Sequence, residues 1–83
     1  MEINVTSKFN LGDRVWVPEL YADEWYVSQQ IEYHVSDIAV FISSDGTRII
    51  YTIKNSGGVV LKYPEETCFS NYSDCEKWCK EHA

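Results

Sequence analysis

The amino-acid sequence predicts a mainly β domain with one C-terminal α-helix: a small barrel of five strands capped by a short helix. Three observations lead there. Short runs rich in Val, Ile, Tyr and Trp alternate with polar residues and are separated by Gly, Pro, Asn and Asp turn residues at roughly 8–12-residue spacing. The final stretch changes to a helical period behind a capping signal. A chain of 83 residues with 45% apolar and 14% aromatic content can build one hydrophobic core but not two.

The elements follow in order. A first strand is expected over residues 13–17, where Val15 and Val17 alternate with Arg14 and Trp16. Pro18, which has no N–H for a ladder, ends it, and residues 18–24 read as a polar loop. A second strand runs over 25–35, with Ile31, Tyr33 and Val35 on one face and Gln30, Glu32 and His34 on the other. Ser36-Asp37 interrupts it. Residues 38–42 then form a third strand, apolar on both faces and therefore expected at the centre of the sheet. Ser43-Ser44-Asp45-Gly46 is the clearest turn, because Asp-Gly tolerates the positive φ of a tight hairpin. A fourth strand over 47–54 alternates Ile49, Tyr51 and Ile53 against Ile50 and Thr52. Asn55-Ser56-Gly57-Gly58 turns the chain into a fifth strand over 59–63. Ser73 and Glu76 have capping-box spacing ahead of a helix over 74–82. That helix places Cys75, Trp78, Cys79 and His82 on one face, and nine residues must dock to be stable.

Composition narrows the function. The net charge is −6, and the seven bases, Lys8, Arg14, Arg48, Lys54, Lys62, Lys77 and Lys80, are scattered. No basic stripe is available to replace counterions on phosphates or to meet an anionic bilayer, so direct nucleic-acid and membrane binding are not expected. A basic protein partner suits this charge, with the chain itself a monomer or weak homodimer. The N-terminal residues lack the pattern of a signal peptide, which makes the cytoplasm the expected compartment. Three cysteines, Cys68, Cys75 and Cys79, are a poor disulfide framework and are expected to stay reduced.

Two stretches carry a family resemblance. Phe9-Asn10-Leu11-Gly12-Asp13-Arg14-Val15-Trp16 matches a Phe-x-x-Gly-Asp-x-Val-Trp/Tyr first strand. Glu65-Glu66-Thr67-Cys68-Phe69, with residues 72–82, matches an acidic turn followed by a short helix. On these, the chain resembles small SH3-like barrel proteins of unknown function from phages, prophages and gut bacteria. The resemblance implies an SH3-like barrel and an accessory role, such as inhibition of a host protein, and it supplies no catalytic residues. Glu19-Leu20-Tyr21-Ala22-Asp23-Glu24-Trp25 echoes the Ala-Leu-Tyr-Asp-Tyr signature of eukaryotic SH3 domains. It follows the first strand, however, and no Trp-Trp pair comes later, so recognition of proline motifs is not expected.

Three site hypotheses arise. Cys68, Cys75, Cys79 and His82 offer four tetrahedral zinc ligands, although without the Cys-x2-Cys knuckle, and the same helix positions serve equally as a buried docking face. Core packing is the expected role, with no cofactor; a zinc-stabilised structural domain is the alternative. Catalysis has little support: Glu32 and His34 could pair on a strand face, but no nucleophile elbow, phosphate loop or metalloprotease motif is present, and a non-enzyme is expected. Binding is favoured. Glu19, Tyr21, Asp23, Glu24, Trp25 and Tyr26 put aromatic rings among carboxylates with no base between them, a composition that attracts a cationic partner segment. Residues 47–53 offer a further edge for strand addition, although neighbouring strands are expected to cover it.

Overall fold

The computed structural model describes residues 5–28 and 31–83. It is mainly β, with a curled half-barrel sheet and one C-terminal helix. The strands are β1 (Arg14–Val15), β2 (Pro18–Tyr21), β3 (Glu24–Val27), β4 (Tyr33–Ser43), β5 (Gly46–Lys54) and β6 (Val60–Pro64), followed by a 3-10 turn (Glu65–Thr67) and helix α1 (Tyr72–Glu81). The main sheet has the order β1-β4-β5-β6, all antiparallel neighbours, and β2-β3 is a separate hairpin. A single bridge partly closes the curl: Trp16 and Phe69 exchange backbone hydrogen bonds, each 2.9 Å, joining the end of β1 to the segment beyond β6.

The alternation behind the core is as the sequence predicts. Val15, Val17, Tyr33, Val35, Ile49, Tyr51 and Ile53 are all buried, together with Phe9 and Cys68, and Ile38, Leu61 and Tyr63 pack against them. Tyr51 is the most connected of these. Its hydroxyl receives hydrogen bonds from the backbone N–H of Lys8 (2.9 Å) and of Phe9 (3.2 Å) and donates to Glu65. That hydroxyl therefore ties the N-terminal segment, β5 and the 3-10 turn together.

Several boundaries differ from expectation. Residues 18–24 are not a loop: Pro18 is the buried first residue of β2, a position that needs no ladder N–H, and its carbonyl accepts from Tyr63 Oη at 3.2 Å. The strand expected over 25–35 is divided, with Trp25 to Val27 in β3 and Tyr33 to Val35 in β4; Gln30 lies outside the described residues, and Ile31 is exposed. Ser36-Asp37 does not end a strand. It is a bulge, a shift in register between Val35 and Asp37, so β4 bends and continues to Ser43. The third strand is also not central throughout. Beyond Val35, neither β1 nor the residues before it cover β4, and β6 stops at Pro64 opposite Ile50. Residues 39–48 consequently project as a two-stranded arm on which Val40, Phe41 and Ile42 are exposed. At ~3.3 Å per residue β4 alone spans about 36 Å, most of the molecule's 45 Å long dimension.

Helix α1 starts earlier than the Ser73–Glu76 box predicts. Asn71 is the N-cap: its Oδ1 accepts from the Asp74 N–H at 2.8 Å, and its Nδ2 donates to the Asp74 carboxylate at 3.0 Å. Among the described residues, no helix is long and apolar enough to cross a membrane.

Candidate functional site

The acid-rich aromatic segment becomes the β2-β3 hairpin because Ala22 and Asp23 both adopt positive φ, 51° and 64°, in a two-residue turn. Such a turn matches the right-handed twist of the flanking strands. Pairing of Glu19 with Tyr26 and of Tyr21 with Glu24 places these four side chains on one face. Pro18, Leu20, Trp25 and Val27 share the other. Alternation thus separates residues that are neighbours in sequence. Trp25 turns towards α1, where its ring meets Trp78 edge to face at 5.0 Å. Tyr21 and Tyr26 remain exposed with their rings 6.5 Å apart.

Glu19 is half-buried and leans inward, with the buried Tyr33 hydroxyl donating to it at 3.5 Å. Burial raises the pKa of both Tyr33 and Tyr63, and the Glu19 charge adds to each shift. Glu24 accepts from Tyr26 Oη at 2.6 Å, and that hydrogen bond raises the Tyr26 pKa. Tyr26 therefore holds the carboxylate in place at the mouth of a groove.

The groove lies between β3 and α1 and has a volume of about 600 Å³. Residues 23–27 form one wall, and Tyr72, Glu76, Cys79, Lys80 and Ala83 the other. Its aromatic surfaces are Trp25, Tyr26 and Tyr72; its carboxylates are Asp23, Glu24 and Glu76. Glu76 hydrogen-bonds Tyr72, raising the tyrosine's pKa, and pairs with Lys80 at 3.3 Å. Three carboxylates against one lysine leave the groove negative. The sequence marks Glu76 only as a capping residue and does not single out Tyr72. They stand one helical turn apart, which is legible, but the face a helix turns to a groove depends on how it docks.

Of the six residues predicted, the structure brings Asp23, Glu24, Trp25 and Tyr26 to this groove; Tyr21 lies beside it against Tyr26, and Glu19 points to the barrel. A larger hollow of about 850 Å³ lies elsewhere, lined partly by Lys8, Arg48, Glu65 and Glu66. Its charges balance, and the Glu65 carboxylate is already engaged by Tyr51 and the Lys8 N–H.

The cysteine positions are core. Cys68, Cys75 and Cys79 are buried and free of disulfides. Burial pushes the Cys68 and Cys75 thiols up to about 12 and raises Cys79 as well. His82 does not join the docking face. It is the exposed C-cap, stacked on Trp78 at 3.9 Å with Nδ1 2.8 Å from the Trp78 carbonyl. Among the described residues no three His, Cys, Asp or Glu side chains come together as a metal set. Glu32 and His34 do meet, at 3.3 Å, but Arg14 shares the same carboxylate at 3.5 Å and His34 Nδ1 is 2.9 Å from the Gly12 carbonyl, an exposed ion-pair cluster. No family model, no curated protein and no solved structure matches the chain, so the site is read from its own geometry.

Proposed function

We propose that the chain is a non-enzymatic protein-interaction module whose β3–α1 groove receives an arginine-bearing segment of a partner protein. One observation carries this reading: Trp25, Tyr26 and Tyr72 line the same groove as Asp23, Glu24 and Glu76. A guanidinium stacks on aromatic faces and pairs bidentately with carboxylates, so both wall chemistries favour the same group. On the resemblance to phage-type barrel proteins, the module is an accessory protein that binds and modulates a host protein in the cytoplasm.

The test is fluorescence anisotropy with an arginine-bearing peptide and its citrulline counterpart, which keeps the shape and loses the charge. The arginine peptide is expected to bind more tightly, with affinity falling as salt rises. Asp23→Asn combined with Glu24→Gln should weaken binding on the order of tenfold. Equal binding of the two peptides, or no effect of the double substitution, would refute the groove as the site.

A further inference from the structure

The projecting arm raises a separate question, because its outer strand has an open edge. Backbone pairing of β1 with β4 reaches only Tyr33 and His34, and Gly12 and Asp13 cover Val35. From Ser36 to Ser43, among the described residues, no strand lies along that side of β4. Exposed edges are ordinarily blunted by Lys, Pro, an inward charge or a bulge, and the bulge at Ser36-Asp37 lies at one end of the open length. Residues 38–44 contain none of these, and Val40, Phe41 and Ile42 are 42%, 56% and 53% exposed.

We infer that this edge pairs antiparallel with the same edge of a second copy of the chain, on a two-fold axis at Val40. The backbone sets the register. The two-residue turn closes on the pair Ser43 and Gly46, and such a closing pair exchanges both backbone hydrogen bonds. Alternation then directs the N–H and C=O groups of Ala39 and Phe41 to β5, and those of Ile38, Val40 and Ile42 outward. In the two-fold register, Val40 meets the partner's Val40 and Ile38 meets the partner's Ile42. Each of these is a pair whose backbone groups already face the open side.

The side chains suit the same register. Ala39 lies opposite the partner's Phe41, and Asp37 opposite the partner's Ser43, so no like charges face each other across the ladder. The lengths also match. The partner's Ser44 and the partner's Asp45, at the arm tip, fall opposite Ser36 and Val35, where Gly12 and Asp13 begin to cover the edge. A second copy therefore fills the open length without displacing β1. The occupant inferred is a second copy because its own uncharged run Ile38–Ile42 meets the same run with no charge or Pro opposed, and its arm tip ends where Gly12 and Asp13 close the edge. The proposed groove lies between β3 and α1, away from this edge, so either proposal can fail alone.

Sedimentation equilibrium on the full chain tests the pairing. The weight-average mass should rise from 9.6 kDa towards twice that value as concentration increases. Each copy carries −6, so association should strengthen with salt, the opposite of binding to a cationic segment. Val40→Lys places two ammonium groups opposite each other and should raise the dimer dissociation constant on the order of tenfold or more. Ile42→Lys, also on the exposed arm, should act in the same direction, and circular dichroism of both variants should match the wild type. Val40→Cys should form a dimer-linking disulfide under mild oxidation, whereas wild-type thiols, all buried, should not. A chain that stays monomeric up to about 1 mM, a dimer indifferent to both lysine variants, or a dimer that salt disperses would each overturn the pairing.

Discussion

At the scale of single residues, stability concentrates on groups that are buried in neutral form. The Tyr51 hydroxyl meets two backbone N–H groups and a carboxylate at once, so Tyr51→Phe leaves the Phe9 N–H without its acceptor and the Lys8 N–H and Glu65 carboxylate with only each other. A loss of about 1–3 kcal/mol is expected in denaturant titrations. Burial first, and then the hydrogen bond to Glu65, raise the Tyr51 pKa from 10.0 to about 12. A raised folded-state pKa means that the linked stability is complete below pH 10 and is lost as pH climbs towards 12. Tyr51→Phe should therefore be less stable than wild type at neutral pH but lose less on going from pH 10 to 12. An identical alkaline slope would count against this linkage. The thiols obey the same sign: Cys68 and Cys75 rise from 9.0 to about 12, mainly through burial. Elevated pKa and burial both suppress thiolate, so none of the three cysteines should react with a disulfide reagent at pH 8 until denaturant exposes them. Rapid labelling of the native chain would contradict the packing role.

At the scale of elements, turns and caps hold measurable free energy. Ala22 and Asp23 occupy the left-handed region at φ 51° and 64°, a conformation Asp tolerates but Ala, with neither glycine's freedom nor a polar side chain, adopts at a cost. Replacing the pair with Asn-Gly keeps the turn geometry and should stabilise the chain by about 1 kcal/mol, seen as a higher melting temperature. Ala22→Val should lower it, since a β-branched side chain resists positive φ. At α1, Asn71→Ala removes the acceptor for the Asp74 N–H and should cost about 1 kcal/mol, whereas Ser73→Ala should cost much less. That contrast distinguishes the observed cap from the one the sequence pattern suggests. Ser73 and Glu76 do have capping-box spacing, but Asn71 stands two residues earlier with Asp74 three positions on, so two valid caps competed. In the helix that forms, Asn71 is the cap and the Tyr72 side chain hydrogen-bonds Glu76 one turn later.

At the scale of the whole molecule, the curled sheet and the projecting arm divide the chain into unequal parts. β5 is flanked by β4 and β6 where it crosses the core, and Tyr51 and Ile53 are fully buried. Among the described residues, 39–43 and 46–48 have neither a covering layer nor a strand on both sides. In dilute solution, amide exchange should be slowest at Tyr51 and Ile53 and fast at Val40 and Ile42. Comparable protection at both places in dilute protein would show that the arm is packed in a way the structure does not have.

The sequence by itself determined the mainly β class, the alternating core of β1 and β5, the Ser43–Gly46 hairpin, the C-terminal helix and the buried character of Cys75 and Cys79. Those features follow from period and turn chemistry, which act over a few residues. Tertiary structure alone decided the rest. An apolar run such as residues 38–42 is read as central because burial is the usual fate of such strands, yet whether anything covers it depends on how far β1 and β6 extend. Pro18 is read as a terminator from its missing N–H, yet it begins a strand because that position requires no donor. Glu19 and Trp25 look equivalent to Glu24 and Tyr26 in the acidic aromatic segment. Alternation turns the Trp25 ring to Trp78 on the face opposite Glu24 and Tyr26, while Glu19, on their face, is drawn inward by the Tyr33 hydroxyl, and only the docking of α1 brings Tyr72 and Glu76 to complete the groove. The opening expectation of a barrel capped by a helix thus becomes a half-barrel whose helix packs on the β2-β3 hairpin and whose longest strand runs out past the core.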